Sequence, residues 1–202
     1  MPDDAADLYD RNADAFDEAT SLDNLPDEFV AILDSFVDAL AGPAVLDAGC
    51  GPGRDVEYFQ RKGLEPVGVD LAAGMLQYAR ENRPAAYAKM DVRALGFPDD
   101  SFDGVWCPAT VFFVQRDEWP TVLGEFRRVL RPGGVARIGF KVGDGPVEVE
   151  KWGGSTVEYR VTEAEARQEL EAAGFAIEDV TVNQVPSGTT FANLLCRLPV
   201  QR

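Results

Sequence analysis

The stretch Val45-Leu46-Asp47-Ala48-Gly49-Cys50-Gly51-Pro52-Gly53-Arg54-Asp55 decides how the rest of the chain is read. A short apolar run enters three glycines spaced two apart and continues into a helical pattern. Glycine admits positive φ and has no Cβ to hold a ligand off, so the backbone there can turn sharply and touch a bound molecule. A second run, Pro66-Val67-Gly68-Val69-Asp70, ends on an acid at about the spacing expected of a ribose-binding carboxylate in a βαβ nucleotide site. Strand, glycine turn, helix, strand and acid predict a nucleoside-binding α/β unit.

The spacing also narrows the ligand. A dinucleotide fingerprint puts its third glycine three residues after the second, whereas Gly49, Gly51 and Gly53 read GxGxG behind the acid Asp47. Diphosphates are drawn to helix N-terminal amides and their partial positive charge, which Asp47 opposes. A cationic or zwitterionic ligand is expected.

Outward from this unit, apolar runs alternate with helical patterns. Strands are predicted over 44–48, 66–70, 86–90, 102–107 and 135–140, and helices over 54–62, 72–82 and 117–130, with Gly63 and Gly133 near helix stops. Such alternation means parallel βαβ units in a doubly wound sheet. Upstream, 5–19 and 26–40 read as amphipathic helices, the second with Asn24 as N-cap, Pro26 in its first turn and a stripe of Phe29, Ile32, Leu33, Phe36, Val37 and Leu40. Downstream, Thr162-Glu163-Ala164-Glu165 is a capping-box signature opening a helix that stops at Gly174. Residues 175–185 and 191–198 then read as strands joined by Pro186-Ser187-Gly188-Thr189, too short for a crossover and so antiparallel.

Composition sets the bounds. A chain of 202 residues suits one domain and can bury a core without staples. The acidic start Met1-Pro2-Asp3-Asp4 and the lack of any apolar run near the ~18 residues of a membrane span predict neither export signal nor anchor, hence a cytoplasmic protein. Three scattered cysteines, Cys50, Cys107 and Cys196, with no histidine anywhere, predict reduced thiols and no metal site. The missing histidine also removes Ser/His and Cys/His nucleophile pairs. A net charge of −16 repels polyphosphate backbones, so nucleic acid is not an expected partner. Twelve of the first forty residues are acidic and only four of the nineteen basic residues are lysine. That bias fits either a halophilic protein or an acidic product of a GC-rich genome.

With these residues in view, the chain resembles the class I S-adenosylmethionine-dependent methyltransferases of the small, single-domain type, over nearly its whole length. Leu46 to Gly53 match the family's glycine-rich first motif; the resemblance implies that backbone at Ala48, Gly49, Cys50 and Gly51 holds the methionine part, with Asp47 near its ammonium and Gly53 in the same turn. Asp70 matches the acid that takes both ribose hydroxyls, Leu71 and Met75 the positions flanking adenine, and Asp91-Val92 the pair facing its edge. Phe97 to Asp103 and Leu130-Arg131-Pro132-Gly133-Gly134 resemble the approaches to the fourth and fifth strands. The implied fold is a Rossmann-like, seven-stranded mixed sheet in the order 3-2-1-4-5-7-6 with strand 7 antiparallel. Residues 1–40 would form a helical cap over a 41–202 core, and 141–160 a glycine-rich loop shaping the acceptor pocket.

The resemblance implies methyl transfer to a small molecule by in-line displacement, with S-adenosylmethionine as cofactor, S-adenosylhomocysteine as product and no metal. Nucleobase amino-methyltransferases carry a polar, proline-rich motif at the end of the fourth strand, where this chain has Trp106-Cys107-Pro108-Ala109. Cys107 closes that strand, where ligands gather in open α/β sheets, or is simply a small buried hydrophobe. Tyr9, Phe112, Phe113, Trp152 and Tyr159 are candidates for the acceptor pocket, with core packing as the competing role. Two other classes stay open: a non-catalytic S-adenosylmethionine-binding protein, which would bind but release no methyl group, and a Rossmann oxidoreductase, which NAD would stabilise instead.

Overall fold

The structure is a computed structural model and describes residues 3–185 and 187–200. Met1, Pro2 and Pro186, which entered the readings of the chain start and of the last turn, lie outside the described residues. In chain order the elements are α1 (Asp3–Asp10), α2 (Ala13–Thr20), α3 (Asp27–Ala39), β1 (Ala44–Ala48), α4 (Arg54–Arg61), β2 (Glu65–Asp70), α5 (Ala73–Asn82), β3 (Ala86–Lys89) and β4 (Phe102–Cys107). They continue with α6 (Trp119–Val129), β5 (Leu130–Lys141), β6 (Gly145–Lys151), β7 (Gly154–Arg160), α7 (Glu163–Ala172), β8 (Ala176–Gln184) and β9 (Thr190–Arg197).

Seven strands form one sheet in the order β3-β2-β1-β4-β5-β9-β8. The first five pair in parallel, and β9 runs antiparallel to both β5 and β8. Once β6 and β7 are set aside this is the expected order. The central strands read as unbroken apolar runs because both sheet faces are covered. Leu46, Val105, Ile138 and Leu194 point into a core roofed by Trp119, Val122 and Phe126 of α6 and Ala166 and Leu170 of α7. Their neighbours Val45, Trp106, Val135 and Leu195 point the other way, onto Ile32, Leu33 and Phe36 of α3 and Phe59 of α4. Adjacent strand residues thus feed opposite cores, as the two-residue pleat requires. Trp106 is fully buried, and its indole N–H donates to Asp55 Oδ2 at 2.8 Å, so its one polar atom is satisfied.

The structure departs from the sequence expectations at four places. The predicted helix over 5–19 is two helices, broken where the Asn12 side chain donates to the Leu8 carbonyl at 2.7 Å and so competes with the helical ladder. Asn24 caps nothing: it ends a 3-10 turn, and α3 begins behind Pro26, whose carbonyl accepts from Phe29 and Val30. β5 starts at Leu130, five residues early, because Leu130 already pairs with Phe102. The expected loop over 141–160 contains an antiparallel hairpin, β6 with β7, turned by Trp152 (φ 49°) and Gly153 (φ 74°). Two successive positive φ values give the primed turn whose twist suits a hairpin. The capping box forms as read: Thr162 and Glu165 exchange hydrogen bonds at the start of α7.

Candidate active site

β1 and β2 end side by side, and the chain leaving β1 curls over the end of β2. The amides of Gly49 and Cys50 both donate to the Val69 carbonyl, at 2.8 and 3.0 Å. The amide of Gly51 donates to Asp70 Oδ2 at 2.9 Å. Gly49 has φ +85°, and a Cβ there would lie 1.7 Å from Thr110 Oγ1, so the turn and the loop after β4 approach as closely as glycine alone permits. At Gly51 a Cβ would meet nothing nearer than Phe16 at 3.8 Å. The loop backbone therefore presents bare peptide to a cleft.

Three acids stand around this loop. Asp70 Oδ1 accepts from the Ala72 amide at 2.8 Å. Burial pushes its carboxyl above the ordinary range, with the amides of Ala72 and Gly51 opposing the shift. Each of its oxygens keeps a second lone pair. Asp47 is 1% exposed, and its Oδ2 has no hydrogen-bond partner among the described residues. Burial first, then the charge of Asp55, holds its carboxyl well above the ordinary value, with Arg54 pulling the other way. Asp91 is raised by burial but more strongly lowered by Arg93, whose guanidinium grips it at 2.6 Å and whose amide donates at 2.9 Å. It borders a recess of about 10 Å³ with Leu71, Met90 and Val92, which shares Gly49, Asp70 and Thr110 with the main cleft.

That cleft has a volume of about 970 Å³. Its roof joins chain segments far apart in sequence. The Tyr9 ring meets Phe16 at 5.5 Å, Phe113 at 5.6 Å and the hairpin-tip Trp152 at 5.4 Å, all edge to face. Asp10 fixes α1 to the sheet side by accepting from the Gly74 amide at 2.7 Å, and Asp17 of α2 pairs with Arg83 at 2.8 Å. At one end Arg54 is locked between Asp55, at 2.6 Å, and the Phe29 ring, at 4.7 Å. At the other, Lys141 lies 4.6 Å from the Phe112 ring and is ion-paired with Glu158. Lys151 sits 4.0 Å above Trp152 and 5.5 Å from Tyr9 and Phe16.

Of the residues the sequence singled out, Tyr9, Gly49, Cys50, Gly51, Asp70, Met75, Phe112 and Phe113 line the cleft, and Leu71, Asp91 and Val92 line the recess. Asp47, Ala48 and Cys107 lie buried beneath the loop. Burial, then the charge of Asp47, pushes the Cys107 thiol up to about 12. Gly53 opens α4 in the left-handed region. Trp152 reaches the roof from the hairpin tip, while Tyr159 packs against the main core and does not line the cleft. Sequence reasoning missed Thr110, Lys141 and Lys151. The two lysines had a signal, since a chain with only four of them exposes each to scrutiny.

The residues present suit S-adenosylmethionine. A buried carboxylate oxygen without a partner awaits a cation, a Cβ-free loop borders an open cleft, and a second carboxylate stands at the end of the next strand. Comparison with known proteins agrees. Residues 46–138 match the methyltransferase domain family. The malonyl-[acyl-carrier protein] O-methyltransferase of Pectobacterium atrosepticum is 35% identical over 131 residues, 64% of this chain and 50% of that protein. Its Erwinia pyrifoliae counterpart is 43% identical over 91 residues, 45% of this chain and 34% of that protein. The chain thus spans half or less of the length of these curated relatives. Among solved structures, the Burkholderia thailandensis 1,6-didemethyltoxoflavin-N1-methyltransferase, with 1,6-didemethyltoxoflavin and S-adenosylhomocysteine bound, superposes with a TM-score of 0.76 at 25% identity, over 98% of this chain and 86% of that one. A methyltransferase from Methanosarcina mazei superposes at 0.73 and 18% identity, over 83% and 98%. Motif, sheet order and relatives converge: residues 46–138 match the methyltransferase domain family, and the whole fold resembles that of S-adenosylmethionine-dependent methyltransferases.

Proposed function

We propose that this chain transfers a methyl group from S-adenosylmethionine to a small-molecule acceptor by in-line displacement. The observation that carries the proposal is the pair of buried carboxylates at the ends of β1 and β2, one unpartnered, on either side of a Cβ-free loop. Bound S-adenosylmethionine would supply a methyl group activated on a sulfonium. Asp47 would receive its ammonium, the loop at Ala48 to Gly51 its methionine backbone and Asp70 its sugar diol. Leu71 and Met75 would flank the adenine, with Asp91 and Val92 at its edge.

In such a displacement positive charge disappears, so the protein's work is to align acceptor, methyl and sulfur and to keep water out. The roof of Tyr9, Phe16, Phe113 and Trp152 serves the second task here, with α1 to α3 as the cap. Tyr9 itself stays a phenol, because burial and the charges of Glu158 and Asp70 raise its pKa. An acceptor already near its ionisation point needs no strong base from the chain. The acceptors named for the relatives are malonyl-[acyl-carrier protein] and 1,6-didemethyltoxoflavin, and a small molecule is the reading that the cleft of about 970 Å³ supports for this chain.

Calorimetry with S-adenosylmethionine, S-adenosylhomocysteine, NAD and ATP tests the cofactor directly. The first two should bind and the last two should not. Asp70→Ala should weaken S-adenosylhomocysteine by roughly tenfold or more, the loss of one or two hydrogen bonds to a charged group at about 1.5–3 kcal/mol each. Undiminished affinity in that variant, or binding of NAD instead, overturns the proposal.

A further inference from the structure

Two of the chain's four lysines end in one cleft, in a molecule of net charge −16. Lys151, the last residue of β6, has its ammonium among three rings: Trp152 at 4.0 Å and Tyr9 and Phe16 at 5.5 Å. Among the described residues no carboxylate lies within ion-pair distance of it and no acceptor hydrogen-bonds to it. Lys141, at the end of β5, faces Phe112 at 4.6 Å, Phe191 at 5.6 Å and Phe113 at 5.9 Å. Its one carboxylate, Glu158, is shared with Arg160 at 3.1 Å. The ring contacts chain the two lysines together, because Tyr9 also touches Phe113.

The acids that line the same cleft do not answer these cations. Asp55 is committed to Arg54 and Trp106, and Asp70 to the amides of Gly51 and Ala72. Asp27 and Glu28 stand exposed at the start of α3. Lys151 is half-buried, and the nearest acid acting on it, Glu158, is already paired with Lys141 and Arg160. A partly desolvated ammonium with no carboxylate of its own costs free energy, and ring faces return only about 0.5–2 kcal/mol of it. Burial first, then the neighbouring charge of Lys141, depresses the Lys151 pKa, with the charge of Glu158 opposing. An acidic chain that keeps this arrangement is keeping a place for an anion.

We infer that the methyl acceptor is an organic acid with an apolar, ring-sized body, its acidic oxygen held by the Lys151 ammonium with Lys141 as a second contact. Phe112, Phe113 and Phe191 face the body of that molecule. The inference rests on the methyltransferase reading of the same cleft and adds the acceptor class to it.

The test uses the full chain saturated with S-adenosylhomocysteine, whose own affinity is measured first. Benzoate and indole-3-acetate are then titrated by calorimetry against their neutral amides, benzamide and indole-3-acetamide. At least one acid should bind about tenfold or more tighter than its amide in the unmodified chain. Lys151→Gln should shrink that preference to within about twofold while leaving S-adenosylhomocysteine affinity within twofold, and Lys151→Arg should keep it. Lys141→Gln, as a second variant in case Lys151→Gln folds poorly, should reduce the preference partially. Three outcomes overturn the inference: no preference for either acid, a preference that survives both glutamine variants, or a loss of S-adenosylhomocysteine affinity in Lys151→Gln as large as the loss for the acid. The last would assign Lys151 to the cofactor's own carboxylate. A chain that binds no S-adenosylhomocysteine at all fails one step earlier, at the methyltransferase reading, and takes the acceptor class with it.

Discussion

Asp47 shows how a single buried acid can weaken a fold, a cost that on the proposed reading serves the cofactor. Its carboxyl is buried, lacks a partner at Oδ2 and titrates well above its ordinary value, chiefly through burial and then through Asp55. Between the unfolded value and the raised folded one, the folded chain holds a proton that the unfolded chain has released. Stability therefore falls as pH rises through that window, and the whole cost is present above it. Asp47→Asn removes the titration, so the ligand-free variant should be more stable than the parent near neutral pH, and the gain should shrink as pH falls toward the ordinary carboxylate range. Relief of a buried unsatisfied group at about 1–3 kcal/mol corresponds to roughly 2–4 °C per kcal/mol in a chain of this size. The same variant should bind S-adenosylmethionine at least tenfold more weakly, having lost its charge. Calorimetric melting at two pH values with a binding titration checks both, and a variant that loses both stability and affinity contradicts the account. Gly49→Ala should act on the fold instead. Its Cβ would meet Thr110 Oγ1 at 1.7 Å from a backbone at φ +85°, so a loss of at least about 1–3 kcal/mol is expected, read as a lower melting temperature. At this scale Asp70 was legible because its spacing from the glycines is local. Lys151 was not, because its ring cage is assembled from positions 9, 16 and 152.

Among the elements, the β6–β7 hairpin has the sequence of a loop, and the reason is chemical. Residues 143–154 hold all four glycines of the segment 141–160 and turn on a tryptophan, which is not a usual residue at positive φ. The alternation of Val147 and Val149 with Glu148 and Glu150 is the strand signal beneath that glycine bias. The Trp152 backbone costs about 1 kcal/mol or more in the left-handed region. Its contacts with Tyr9, with Phe16 and with Lys151 return about 0.5–1.5 kcal/mol each, so the gain exceeds that cost by roughly 1–2 kcal/mol. Trp152→Gly should accordingly change the melting temperature by only a few degrees while detaching the hairpin tip from α1 and α2. Stopped-flow release of S-adenosylmethionine should then quicken by about tenfold. An unchanged release rate would show that the tip is no part of the closure. The helices were easier to read. The capping box and the apolar stripe of α3 are local patterns, whereas the break at Asn12 depends on one side chain winning a backbone carbonyl.

For the molecule as a whole, the sheet order was legible because parallel βαβ alternation and a short final connection leave few topologies. Charge poses the remaining question. The ion pairs of the described residues are contacts at roughly ion-pair distance, such as Arg83 with Asp17 at 2.8 Å and Arg128 with Glu125 at 2.7 Å. The repulsion of a −16 net charge acts across the whole surface instead, and is densest where twelve acids fall in the first forty residues. Salt distinguishes the two by range. Raising it from about 0.1 to 1 M shortens the Debye length from roughly 10 to 3 Å, which silences the long-range repulsion while pairs in contact keep most of their attraction. Exposed pairs are in any case worth only about 0–1 kcal/mol each. The melting temperature should therefore rise across that range of sodium chloride, by roughly 2–4 °C for each kcal/mol of repulsion removed. Sucrose, which favours the compact state by exclusion without screening charge, should not reproduce the full rise. A melting temperature that stays flat or falls with sodium chloride would mean that the pairs outweigh the repulsion, and would remove the physical basis for reading this composition as an adaptation to salt.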